Sequence, residues 1–158
     1  MDPSTRSFFA AIFRGIIAIA VICGHCAPLS GQTKPNRSAC LAYEPAVVRL
    51  TGTLVRKTFP GPPEYQDISR GDEPEVYWLL VLSRPACVSE DKVHPDLNPA
   101  HDDIRSLQLV LTAEFYKKYK HLVGRRVVAT GTLFGEHTIH HRTPVLLIVE
   151  TLAASSSQ

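Results

Sequence analysis

The phrase Thr-Gly-Thr-Leu occurs twice, at residues 51–54 and 130–133, and each copy follows an apolar residue, Leu50 or Ala129. Both copies lie in runs where apolar and polar residues alternate, the period of a half-buried β-strand. In the first run Leu50, Gly52 and Leu54 share one face, and Arg49, Thr51 and Thr53 the other. A glycine at the same phase of two strands fits the place where a small sheet bends or bulges to close on itself. Chance recurrence of a common strand phrase would leave that shared phase unexplained. The repeat therefore predicts two neighbouring strands of a small closed sheet.

The remaining elements fall into place around these two. Strand patterns cover residues 47–57, 76–83, 106–112, 126–134 and 144–152, and the second is apolar on both faces, as a central strand should be. Between the third and fourth lies a helical stretch, 113–122, with Thr112 as its cap, Glu114 in its first turn, lysines near its end and Gly124 just beyond. The order β-β-β-α-β-β is that of an OB-like barrel. The fold class expected is thus mainly β, a five-stranded OB-like barrel with one helix between strands 3 and 4.

At 158 residues and 17.4 kDa the chain has room for one domain and an appendage. The appendage is N-terminal. Arg6 and Arg14 precede the apolar run 15–23, the pattern of a secretory signal peptide. Arg14 interrupts the apolar stretch, which is too short to cross a bilayer as a helix. The expected organisation is a signal peptide over 1–26, a polar linker over 27–39, the barrel over 40–152 and a polar tail over 153–158. Export to a bacterial periplasm or medium follows, with no stable membrane span after cleavage.

Charge and cysteines agree with this reading. There are 17 Lys and Arg against 15 Asp and Glu, a net charge of +2, too small to predict a nucleic-acid partner. With Cys23 and Cys26 in the leader, the mature part keeps Cys40 and Cys87. Two cysteines in an oxidising compartment are expected to be bridged.

The unusual residues gather in two loops, those after strands 1 and 4, which flank the usual ligand face of an OB barrel. The first loop, 58–75, holds Phe59-Pro-Gly-Pro-Pro-Glu-Tyr65 and Gly71-Asp-Glu-Pro-Glu75; the second, 135–143, holds Glu136-His-Thr-Ile-His-His-Arg-Thr143. Long proline-bearing loops lose less entropy on ordering and can hold an aromatic ready for a partner. The candidate ligand-binding residues are Phe59, Tyr65, Asp72, Glu75, His140, His141 and Arg142. The alternative role for Phe59 and Tyr65 is to plug the barrel mouth. The function expected is a binding module for a small molecule, a glycan or an envelope protein.

A second reading takes His137, His140 and His141 as ligands of a transition metal, since imidazole with nearby carboxylate suits Zn²⁺, Cu²⁺ or Ni²⁺. The spacing matches neither a structural zinc site nor a His-Glu-x-x-His helix. Enzyme activity has no motif behind it: there is no Gly-x-Ser-x-Gly elbow, and Asp72 and Glu75 are an acid pair of unknown separation.

Five motifs together resemble a bacterial exported family catalogued as a domain of unknown function. They are Gly52–Leu54, the Phe-Pro-Gly-Pro-Pro-x-Tyr segment 59–65, the Gly-Asp-x-Pro-Glu turn 71–75, Gly131–Phe134 and the His-His-x-Thr segment 140–143. The resemblance spans about residues 40–152. It implies export and a single domain and supplies no activity. Family members often carry Thr-Gly-His-His where this chain has Thr138-Ile-His-His141, so Ile139 replaces a glycine.

Overall fold

In the computed structural model of the chain the structure describes residues 40–156, all within the unit Arg37–Gln158. The leader expected over 1–26, the linker over 27–39 and the last two tail residues lie outside the described residues. Five strands, β1 (Val47–Pro60), β2 (Pro74–Val88), β3 (His101–Val110), β4 (Arg126–Gly135) and β5 (Val145–Ala154), close into a ring in the order β1-β2-β3-β5-β4. One α-helix, α1 (Ala113–Tyr119), continues as a 3-10 turn (Lys120–Leu122) between β3 and β4. The ring is irregular rather than a uniform barrel, and its order is compatible with an OB-like fold. Among the described residues no helix is long and apolar enough to cross a membrane.

The two strands that carry the Thr-Gly-Thr segments are neighbours, but the segments themselves are offset along the ladder and do not face each other. β1 pairs antiparallel with β4, so that Gly52 faces Val127 and Gly131 faces Val48. Each glycine lets another strand come close. A Cβ on Gly52 would meet the Val81 carbonyl of β2, and one on Gly131 would meet the Ile148 carbonyl of β5. At Gly131 the β4–β5 register shifts by one residue, the irregularity expected where a small ring bends.

Alternation along the strands sends Leu50, Leu54, Leu80, Leu107, Val127, Leu133 and Leu147 into one core, and Leu122 plugs it from the helical connection. Burying each large aliphatic side chain contributes roughly 1.5–3 kcal/mol. The Thr112 hydroxyl caps α1 by accepting from Phe115 N–H at 3.3 Å.

β1, β2 and β3 are each at least three residues longer than the sequence pattern indicates. β1 and β2 extend as a hairpin to the pair Pro60–Pro74, which shortens the loop between them (L12) to residues 61–73. Prolines tolerate the end of a ladder because no further N–H is needed there. β3 starts at His101 inside a polar stretch; Ile104 anchors it in the core while Asp103 takes a left-handed backbone (φ 57°) and the ladder to β2 shifts register. The stretch before β1 is tied to the end of β2. Cys40 and Cys87 stand in disulfide geometry with sulfurs 2.10 Å apart, and Leu41 N–H donates to Cys87 O at 2.8 Å.

Candidate functional site

The loop joining β4 to β5 (L45, residues 136–144) folds over the outer face of β2 and β3, a packing set by Gln108. Flanked by Leu107 and Leu109 in an apolar strand, Gln108 points outward yet is only 5% exposed, because L45 covers it. Its Oε1 accepts Arg142 N–H at 2.7 Å and its Nε2 donates to His140 O at 3.2 Å. The Thr143 hydroxyl accepts Gln108 N–H at 2.8 Å and donates to Val145 O at 2.7 Å. These buried polar groups are mutually satisfied, so L45 has one well-defined seat.

L12 is organised by Asp72, which is itself buried. Its Oδ1 accepts Glu64 N–H at 2.9 Å, and its Oδ2 accepts the N–H groups of Gln66 and Asp67 at 2.6 and 2.7 Å. Burial raises the Asp72 carboxyl, but the backbone donors of Asp67, Glu64, Gln66 and Tyr65 outweigh it and leave the group below its ordinary value. Tyr65 lies between two of those donors and is held in a left-handed backbone (φ 59°), a conformation costly for a bulky residue. Its ring is thereby turned toward L45. Asp72 thus spends its oxygens on the loop, while the aromatic it positions meets the second loop.

Arg142 is the centre where the loops meet. Its guanidinium lies 5.4 Å from the Phe59 ring, 5.6 Å from Tyr65 and 5.6 Å from Tyr77, an aromatic surround on three sides. Its Nη2 donates to Pro60 O at 2.8 Å and to Glu75 Oε2 at 3.0 Å. With its side chain 11% exposed, this ion pair is far better shielded than a surface one. The buried Nε makes no hydrogen bond among the described residues. Phe59 and Tyr65 thus pack against Arg142, and neither belongs to the buried core cluster.

Glu75, Tyr77 and His140 complete the rim. Tyr77 donates to Glu75 Oε2 at 2.8 Å, and His140 Nδ1 stands 3.5 Å from both the Tyr77 hydroxyl and Glu75 Oε1. The Tyr77 hydrogen bond lowers the Glu75 carboxyl; burial opposes this, and Arg142 and His140 reinforce it. Burial and then the Glu75 carboxylate push the Tyr77 phenol up to about 12. The imidazole of His140 is half exposed and packs edge-on against Tyr65 at 5.6 Å.

Five of the seven residues expected in a ligand site, Phe59, Tyr65, Glu75, His140 and Arg142, thus share one rim. Asp72 and His141 stand apart from it. His141 accepts His137 N–H on its Nδ1 at 3.0 Å, and the two rings meet edge to face at 4.6 Å beside Phe134. Burial, and then the neighbouring His137, keep the His141 imidazole below its usual value. The metal reading is corrected on this point: His140 faces Glu75 and Tyr77, while His137 and His141 face Phe134. Among the described residues no group of three His, Cys, Asp or Glu side chains is placed to hold a metal ion.

Tyr77, Gln108 and Thr143 belong to the site and were not expected there. Each left a trace in the sequence, Thr143 as the last residue of the His-His-x-Thr segment. Tyr77 follows Glu75 by two residues on a strand, the spacing that puts both on one face, and Gln108 is the lone polar residue in the apolar run Leu107–Leu111.

No curated protein matches the chain. Residues 106–153, the part that carries Gln108, His140, Arg142 and Thr143, match the family described as Domain of unknown function (DUF4431).

Proposed function

We propose that the chain is an exported binding module whose recognition surface is the rim of Tyr65, Glu75, Tyr77, His140 and Arg142. The observation that carries this reading is Tyr65, kept in an unfavourable backbone by Asp72 so that its ring meets His140 and Arg142. Strain persists only where its surroundings enforce it, and it concentrates at ligand sites. A half-exposed imidazole, a carboxylate and aromatic edges on a fixed frame suit a polar ligand with apolar faces. A glycan or a polar small molecule fits best, with an exposed segment of an envelope protein as the macromolecular counterpart. Export is supported by the leader pattern and by the placement of Cys40 and Cys87 for a disulfide.

The test is NMR titration of the mature domain with soluble fractions of bacterial envelope glycans and peptides. Shifts confined to Tyr65, Tyr77, His140 and Arg142, and lost in folded Tyr65→Ala and His140→Ala variants, are the expected result. Shifts that map elsewhere, or variants that bind as well as the parent, would refute the reading.

A further inference from the structure

The β1–β2 hairpin has two faces, and only one of them carries the rim described above. Period-two alternation puts Lys57, Phe59, Glu75 and Tyr77 on that face and Arg56, Val76 and Trp78 on the other, where Arg56 pairs with Trp78 across the ladder. Behind this second face, between the hairpin and the helical connection, lies an open-mouthed cavity of about 480 Å³. Arg56, Val76, Trp78, Tyr116, Lys120 and Val123 line it. Its volume is that of a small-molecule site.

The lining has a clear polarity. Trp78 and Tyr116, packed edge to face at 5.0 Å, form an aromatic wall, and Val76 and Val123 add aliphatic surface. Arg56 and Lys120 are both exposed, and among the described residues no carboxylate lines the cavity. Among the described residues neither cation makes an ion pair, and the Tyr116 hydroxyl makes no hydrogen bond. Two cations beside an apolar wall with no internal counter-charge are complementary to an anion with an apolar body. A guanidinium fork matches a carboxylate in particular.

We propose that this cavity is a second binding site, which takes an organic monocarboxylate with an aromatic or aliphatic body. The carboxylate bonds Arg56 and Lys120, and the body lies against Trp78 and Tyr116. The site is separate from the rim and does not depend on the function assigned there.

Trp78 is the only tryptophan of the chain and so reports on the cavity directly. The probes are 4-phenylbutyrate, its neutral amide and 4-phenylbutylamine, three molecules with one apolar body and different charge. The acid is expected to shift Trp78 emission saturably and to bind more tightly than the amide, with the amine weakest. Arg56→Gln with Lys120→Gln, both at exposed positions, should leave the melting temperature unchanged. It should weaken the acid about tenfold, the loss that follows removal of a charge-assisted hydrogen bond, and leave the amide unaffected. Equal binding of all three probes, an unchanged affinity for the acid in the double variant, or no Trp78 response to the acid at its solubility limit would each overturn the proposal.

Discussion

The side-chain carbonyl of Gln108 accepts the backbone N–H of Arg142 at 2.7 Å, so a residue of the sheet fixes the backbone of the residue at the centre of the rim. The guanidinium then needs no long, freely rotating approach. Its backbone is seated on β3, and its head is bonded to Pro60 and Glu75 of the β1–β2 hairpin. Two segments more than 60 residues apart in the chain are thereby joined through one side chain.

Thr143→Val tests the seat. It removes the hydroxyl that accepts from Gln108 N–H and donates to Val145 O in the buried seat of L45. Denaturant unfolding is expected to show a loss of about 1–3 kcal/mol. Thr138→Val, on the exposed part of the same loop, should be close to neutral.

Arg142→Lys tests the hub. Lysine keeps the charge and loses the planar group that bonds Pro60 O and Glu75 while stacking against Phe59, Tyr65 and Tyr77. A destabilisation of about 2 kcal/mol is expected, with faster amide exchange in both L12 and L45.

Acid should loosen L12. The Asp72 carboxyl lies below 3.8 in the folded chain, so its contribution to stability is fully present above that value. It is lost as the pH falls through the lower, folded value. Unfolding midpoints measured from neutral pH down into this range should fall more steeply for the parent than for Asp72→Asn. At neutral pH the same substitution should destabilise more than Glu73→Gln, which alters an exposed neighbour.

Alkali acts through Tyr77. Its phenol ionises at 10.0 when free and at about 12 in the fold. Stability from the neutral phenol is therefore complete below 10.0 and declines as the pH rises toward about 12. Ultraviolet titration of the parent should show one phenol ionising near 12, and Tyr77→Phe should abolish that step.

Gly131→Ala should be among the most damaging single substitutions in the sheet. The new methyl group would meet the backbone carbonyl of Ile148, which cannot swing away as a side-chain tip can. A cost of about 3 kcal/mol is expected in thermal or denaturant unfolding.

Much of this arrangement was legible because period-two alternation and the helix signals are local. They placed all five strands and the helix between the third and fourth, and the twin glycine segments marked two strands that do pair. The misread boundaries have physical causes. β3 begins in a polar stretch because a single residue, Ile104, reaches the core there. The β1–β2 hairpin runs out to two prolines, residues that usually mark loops. Gathering Phe59, Tyr65, Glu75, His140 and Arg142 on one rim required only the neighbouring loops of the expected fold. Separating His140 from His137 and His141 required the turn of L45, which three adjacent imidazoles in a sequence do not reveal. Asp72 differs from the expectation because a buried carboxylate serving backbone amides looks the same in sequence as one awaiting a partner.

The ladder between β3 and β5 is parallel and runs through three residue pairs, Gln108–Leu146 to Val110–Ile148. It is the shortest stitch in the ring, and Thr143 clasps it at one end through Gln108. The clasp that closes the cylinder is thus the same one that seats the rim. A ligand docked on the rim as proposed, steadying L45, would therefore also hold the cylinder closed and raise the melting temperature.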